Sequence, residues 1–103
     1  MKKEKFCKKA HIKPGIIKRV KKLLTIIDNI NRLRILSLFK KHKELSVCDI
    51  LNSLKLRQNL GSYHLRVLRQ AKLVSSEKRG SKIYYRENKK NIQEILKIIN
   101  DLF

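Results

Sequence analysis

Gln58, Asn59, Ser62, Tyr63 and Arg66 are hydrogen-bonding side chains that fall on one side of a helical pattern opened by Arg57. Gln and Asn can pair in bidentate fashion with adenine, Arg with guanine, and Ser with several base edges or a phosphate. Each good bidentate pair gives ~1 to 3 kcal/mol of discrimination between bases. A solvated helix face carries the same residue types, so the surrounding elements must decide between the two readings.

The charge favours a polyanion. The chain of 103 residues has 27 Lys and Arg against 8 Asp and Glu, a formal net charge of +19 and a sequence pI of about 10.4. An anionic membrane surface is the other candidate. However, no run approaches the roughly 18 apolar residues of a spanning helix, and the N-terminus lacks the apolar core of a signal peptide. A cytoplasmic protein is expected. Cys7 and Cys48 lie far apart in sequence, which argues against a disulfide framework and for a reducing compartment.

Catalysis finds little support in these residues. There is no phosphate-cradling Gly-rich loop, no HExxH pattern and no Ser, His and acid set at recognisable spacing. The chain is read as a non-enzyme.

The elements that must position the polar face follow from hydrophobic periodicity. Residues 1–15 are polar, rich in lysine and closed by Pro14-Gly15, which predicts a flexible basic arm. Residues 16–103 form one folded domain. Ile16, Ile17, Val20, Leu23, Leu24 and Ile27 predict a first amphipathic helix, and Asp28-Asn29 supplies a cap for a second that carries Leu33, Ile35, Leu36, Leu38 and Phe39. Ser46 caps a third, short helix with Val47, Ile50, Leu51 and Leu54 on its buried stripe. After a turn at Leu54-Lys55-Leu56, Arg57 to Gln70 forms a fourth helix, held inward by Leu60, Leu65 and Leu68. Residues 73–78 and 81–86 flank Arg79-Gly80 as a β-hairpin with Lys78, Arg79 and Lys82 at its tip. These cations are placed to contact phosphate or a minor groove.

A last helix over Asn88 to Phe103 carries Ile92, Ile95, Leu96, Ile98, Ile99, Leu102 and Phe103. Its stripe is wider than packing on a small hairpin requires, and the first helix is equally apolar. Together they predict a homodimer joined through the first and last helices. The expected fold is thus mainly α with a small β-hairpin wing, a winged helix-turn-helix that binds double-stranded DNA.

Three segments carry a resemblance to a known family: Asn29-Ile30-Asn31-Arg32-Leu33-Arg34-Ile35-Leu36, Glu44-Leu45-Ser46-Val47-Cys48-Asp49-Ile50, and Leu56 through Val74. In order and spacing they resemble the ArsR/SmtB winged-helix repressors, over about Leu23 to Phe103. The resemblance implies a homodimeric transcriptional repressor that leaves its operator when an inducer binds.

The departures concern the sensing residues. Ser46 stands where the family often has the first cysteine of Glu-Leu-Cys-Val-Cys-Asp, and Lys89 and Asn91 stand where relatives place Asp and His ligands. Tyr63-His64 replaces His-His, Lys55 replaces a turn glycine, and Gly61 occupies a helical site where a β-branched residue is common. Some relatives combine N-terminal thiols with the Cys-Asp helix of the other subunit. By that analogy Cys7, His11 and Cys48 form a candidate soft site for Zn, Cd or Pb, with Asp49 as a fourth ligand. No cofactor is required by the rest of the reading, and Zn or another soft divalent metal would act as an inducer. Otherwise Cys48 is expected to be buried and inert, and His64 to pack rather than titrate. The rival readings are a non-specific architectural nucleic-acid binder, in which charge dominates, and a protein-interaction winged helix.

Overall fold

A computed structural model of the chain describes residues 13–103. Cys7, His11 and most of the expected arm over 1–15 lie outside those residues. The described elements are α1 (Pro14–Ile27), α2 (Ile30–Leu38), β1 (Leu45–Ser46), α3 (Val47–Leu54), α4 (Gln58–Gln70), β2 (Val74–Arg79), β3 (Lys82–Glu87) and α5 (Lys89–Leu102).

Local chemistry sets most of the boundaries. α1 begins at Pro14, two residues before the expected Ile16, because proline suits the first helical turn, where its missing N–H has no partner to lose. Asn29 caps α2, its side-chain oxygen accepting from the N–H groups of Asn31 and Arg32 at 3.0 and 3.3 Å. Ser46 caps α3, its hydroxyl oxygen accepting from Asp49 N–H at 3.1 Å, and Asn88 caps α5 by accepting from Asn91 N–H at 3.2 Å. α3 ends at Lys55, whose φ of 54° and ψ of 44° lie in the left-handed region, and Leu56 N–H then bonds back to Leu51 C=O at 3.0 Å. The chain after α4 repeats the device with Lys72 at φ 62°, where Leu73 N–H bonds back to Leu68 C=O at 3.0 Å.

The wing differs from the expected hairpin in two ways. Its strands sit one residue later than expected, leaving Gly80 and Ser81 as the loop, with Gly80 at φ +61° in the first loop position, where a tight hairpin turn demands positive φ. The sheet also has a third strand. β1 lies antiparallel to β3, pairing Leu45 with Tyr85 and Ser46 with Tyr84, so the strand order is β1-β3-β2. Val74 and Tyr85 turn inward to meet Ile35, Ile50, Leu65 and Leu68, all essentially excluded from solvent, and Ile95 joins this core from α5.

α1 and α5 lie against each other in the same protomer, which buries Val20, Leu23 and Ile95. Their stripes are not used up. Leu24 is 51 % exposed and Leu96 58 %, and between α1, α2 and α5 runs an apolar groove of about 430 Å³.

Candidate nucleic-acid interface

α4 has an inner and an outer face, and Leu60, expected on the inner one with Leu65 and Leu68, is instead 43 % exposed, one residue before the buried Gly61. Gly61, His64, Leu65 and Leu68 are buried on its inner side, while Arg57, Gln58, Asn59, Ser62, Tyr63 and Arg66 are all exposed. Gly61 lies against the end of the Leu51 side chain. A β-carbon built there would overlap Leu51 Cδ2 of α3. The leucine side chain thus occupies the volume a residue at 61 would otherwise fill. Arg57 caps α4 without a side-chain hydrogen bond, so its side chain makes no claim on the first N–H groups of the helix, which point where an anion would be favoured.

On the wing, the expected tip residues divide. Arg79 is held by carboxylates: its Nη1 donates to Glu44 Oε2 at 2.9 Å, its Nη2 donates to Glu44 Oε1, and Nη2 also donates to Glu77 Oε1 at 3.0 Å. The guanidinium carbon stacks 4.7 Å from the centroid of Tyr84. Arg86 Nε adds a bond to Glu44 at 3.1 Å. Arg79, followed by Arg86, holds the Glu44 carboxyl below its ordinary range, and Arg79 does the same for Glu77. The guanidinium is correspondingly held in its charged form. Lys78 and Lys82 are exposed and make no ion pair among the described residues.

Two residues that hold the candidate site together are not singled out by the sequence. Glu44 opens the second segment of the family resemblance, yet nothing local says that its carboxylate pairs with Arg79 and Arg86. Arg32 lies inside the segment that carried the family resemblance, yet nothing local says that its side chain reaches α4. Its Nε donates to His64 Nδ1 at 3.1 Å. His64 is only 4 % exposed. Its pKa is pushed down, first by burial and then by the Arg32 charge, so it packs and bonds as expected.

Cys48 corrects an expectation. Expected to be buried and inert, it is exposed, because Ile50 and Leu54 take the inner stripe of α3 and rotate residue 48 outward. It lines a cleft of about 420 Å³ between α3, α4 and the wing, together with Gln58, Ser62 and Lys82.

The described residues do not fit a metal. Among them no three His, Cys, Asp or Glu side chains gather closely enough to hold an ion. Ser46 uses its hydroxyl as a helix cap, and Asn91 Nδ2 donates to Lys72 C=O at 2.7 Å. Cys7 and His11 of the candidate soft site fall outside residues 13–103. Among the described residues, too, no helix is long and apolar enough to cross a membrane.

A short capped helix, a tight turn, a second helix with its polar face outward and a basic wing beside it together define a winged helix-turn-helix DNA-binding domain. The model of the family described as "Bacterial regulatory protein, arsR family" matches residues 29–76, and the transcriptional repressor PagR of Bacillus anthracis is 35 % identical over 80 residues, spanning 78 % of this chain and 80 % of that protein. The chain belongs to the ArsR family of bacterial regulatory proteins. Among solved structures, HlyU from Vibrio cholerae is similar with a TM-score of 0.72 and 26 % identity, covering 88 % of this chain and 98 % of that one. The fold is also that of the homodimeric winged helix-turn-helix DNA-binding domain Mb0332 from Mycobacterium bovis, with a TM-score of 0.64 at 24 % identity, covering 85 % of this chain and 78 % of that one.

Proposed function

We propose that the chain is a homodimeric transcriptional repressor that reads a two-fold symmetric DNA site. The observation that carries this reading is the division of α4. Its inner face is packed into the core, and Gln58, Asn59, Ser62, Tyr63 and Arg66 stand together on the outer face, where a recognition helix carries its base-reading side chains. Arg57, Lys78 and Lys82 supply phosphate contacts, and Arg79 shapes the wing that presents the two lysines.

The exposed Leu24 and Leu96 and the groove beside them support dimerisation through α1 and α5. A dimer would place two α4 helices about one DNA turn apart, ~34 to 36 Å. Its place of action is the cytoplasm, where the chromosome is, and its partner is an operator duplex rather than a membrane. Membership of a family of regulators and the absence of a catalytic constellation in the sequence support a role without catalysis.

The test is selection of duplexes from a random pool by the full chain, with sedimentation of the free protein. A palindromic consensus bound ~10³-fold more tightly than random duplex at physiological salt is the expected result. Equal affinity for both would favour the architectural reading, for which the +19 charge is the supporting observation. A monomer at micromolar concentration would remove the proposed interface.

A further inference from the structure

We propose that Arg32 is a positioning residue for the recognition helix, tying the last turn of α1 to α4 through the His64 imidazole. The proposal rests on α4 being the DNA-reading helix.

One guanidinium makes both ends of the tie. Nη1 of Arg32 donates to Ile26 C=O at 3.0 Å, capping a carbonyl of the last turn of α1, while Nε donates to His64 Nδ1 at 3.1 Å. The same guanidinium carbon lies 5.7 Å from the centroid of the Tyr63 ring, and the Tyr63 and His64 rings are 5.4 Å apart. Arg32 itself is fixed at its backbone by the Asn29 cap of α2. The planar fork therefore bridges α1, α2 and α4, touching one residue of the inner face of α4 and one of the outer face.

An arginine cannot accept a hydrogen bond, so His64 Nδ1 must present its lone pair and the ring proton must sit on Nε2. Protonation at Nδ1 removes the acceptor and sets two cations against each other in a nearly closed site. Arg32 is the charged group acting on His64 among the described residues, and burial adds to its effect. The tie is consequently intact at neutral pH. It opens as the pH falls through a value below the ordinary 6.5 of imidazole. Because α1 belongs to the proposed dimer surface, a shift of that helix would be felt by the base-reading side chains through two hydrogen bonds.

The test uses the full chain in two measurements. Amide hydrogen exchange on the free protein reads the tie without DNA. Affinity for a duplex selected by the protein, relative to random duplex, reads its effect on recognition between pH 5 and pH 8. Arg32→Gln should raise exchange in both α4 and the last turn of α1 and lower the preference about tenfold. Arg32→Lys, which keeps the charge but lacks the fork, should fall between that variant and the natural chain. His64→Asn keeps an acceptor near the Nδ1 position and cannot titrate. It should hold the preference at neutral pH and lose the acid step seen in the natural chain. Unchanged exchange in Arg32→Gln, or an acid step that survives in His64→Asn, would overturn the proposal. If the natural chain prefers no duplex, the DNA-reading assignment fails by itself, and the exchange result still decides whether Arg32 holds α4.

Discussion

Leu51 of α3 fills the space that a side chain on Gly61 of α4 would occupy, so the two residues act as one volume shared between the helices of the DNA-binding motif. The gap is closed from one side only. Gly61→Val should destabilise the protein by ~1 to 3 kcal/mol, as overpacking does. Combining it with Leu51→Ala should recover part of that loss. Urea unfolding of the two single variants and the double variant checks this, and strictly additive effects would show that the residues do not share the space.

Lys55 ends α3 in a left-handed conformation that a side chain disfavours by about 1 kcal/mol. Lys55→Gly should therefore raise stability, by somewhat less than that amount because the unfolded chain gains freedom. Thermal unfolding is the readout. A lower midpoint for the glycine variant would mean that the lysine side chain makes a compensating contact.

Salt dependence should separate the wing cations. Lys78→Gln and Lys82→Gln should each flatten the plot of log affinity against log salt by up to about 0.9 for random duplex, one phosphate contact apiece. Arg79→Gln should flatten it less, since Arg79 is already paired with Glu44 and Glu77. An equal loss for all three would place Arg79 directly on phosphate.

The same carboxylates predict an acid limit. Glu44 and Glu77 titrate lower in the folded chain than the ordinary 4.5, so the unfolded state takes up their protons first. Their contribution is present above that value and fades as the pH falls through the folded values. In Glu44→Gln, the loss of stability between pH 5 and pH 2 should be shallower than in the natural chain. A parallel pH profile would remove Glu44 from the wing's stability.

Thiol accessibility follows from the outward turn of residue 48. An aromatic disulfide reagent should titrate Cys48 in the folded protein without denaturant, and Cys48→Ser should lower the prompt yield by one thiol per chain. Reaction only after unfolding would restore the buried reading.

What the sequence made legible was local. Apolar spacing located the helices, and Asn29 and Ser46 announced their starts because a cap acts on N–H groups two or three residues away. Residues 73–86 announced a hairpin, with a boundary error of one residue. Strand β1 was missed because two residues have no period. The inner position expected for Cys48 came from the general burial of cysteine, which the phase of a short helix overrode. The pairing of Arg79 with Glu44 spans 35 positions and the bond from Arg32 to His64 spans 32. Contacts of that separation exist only once the core has brought α2, α4 and the wing together.

Leu45 and Ser46 belong to two elements at once: they pair with β3, and Ser46 also caps α3. Anyone transplanting the DNA specificity of this domain onto a relative must cut before Glu44 and after Glu87. A graft of α4 alone would inherit a foreign wing angle, and a graft of the hairpin alone would leave behind the strand that anchors it.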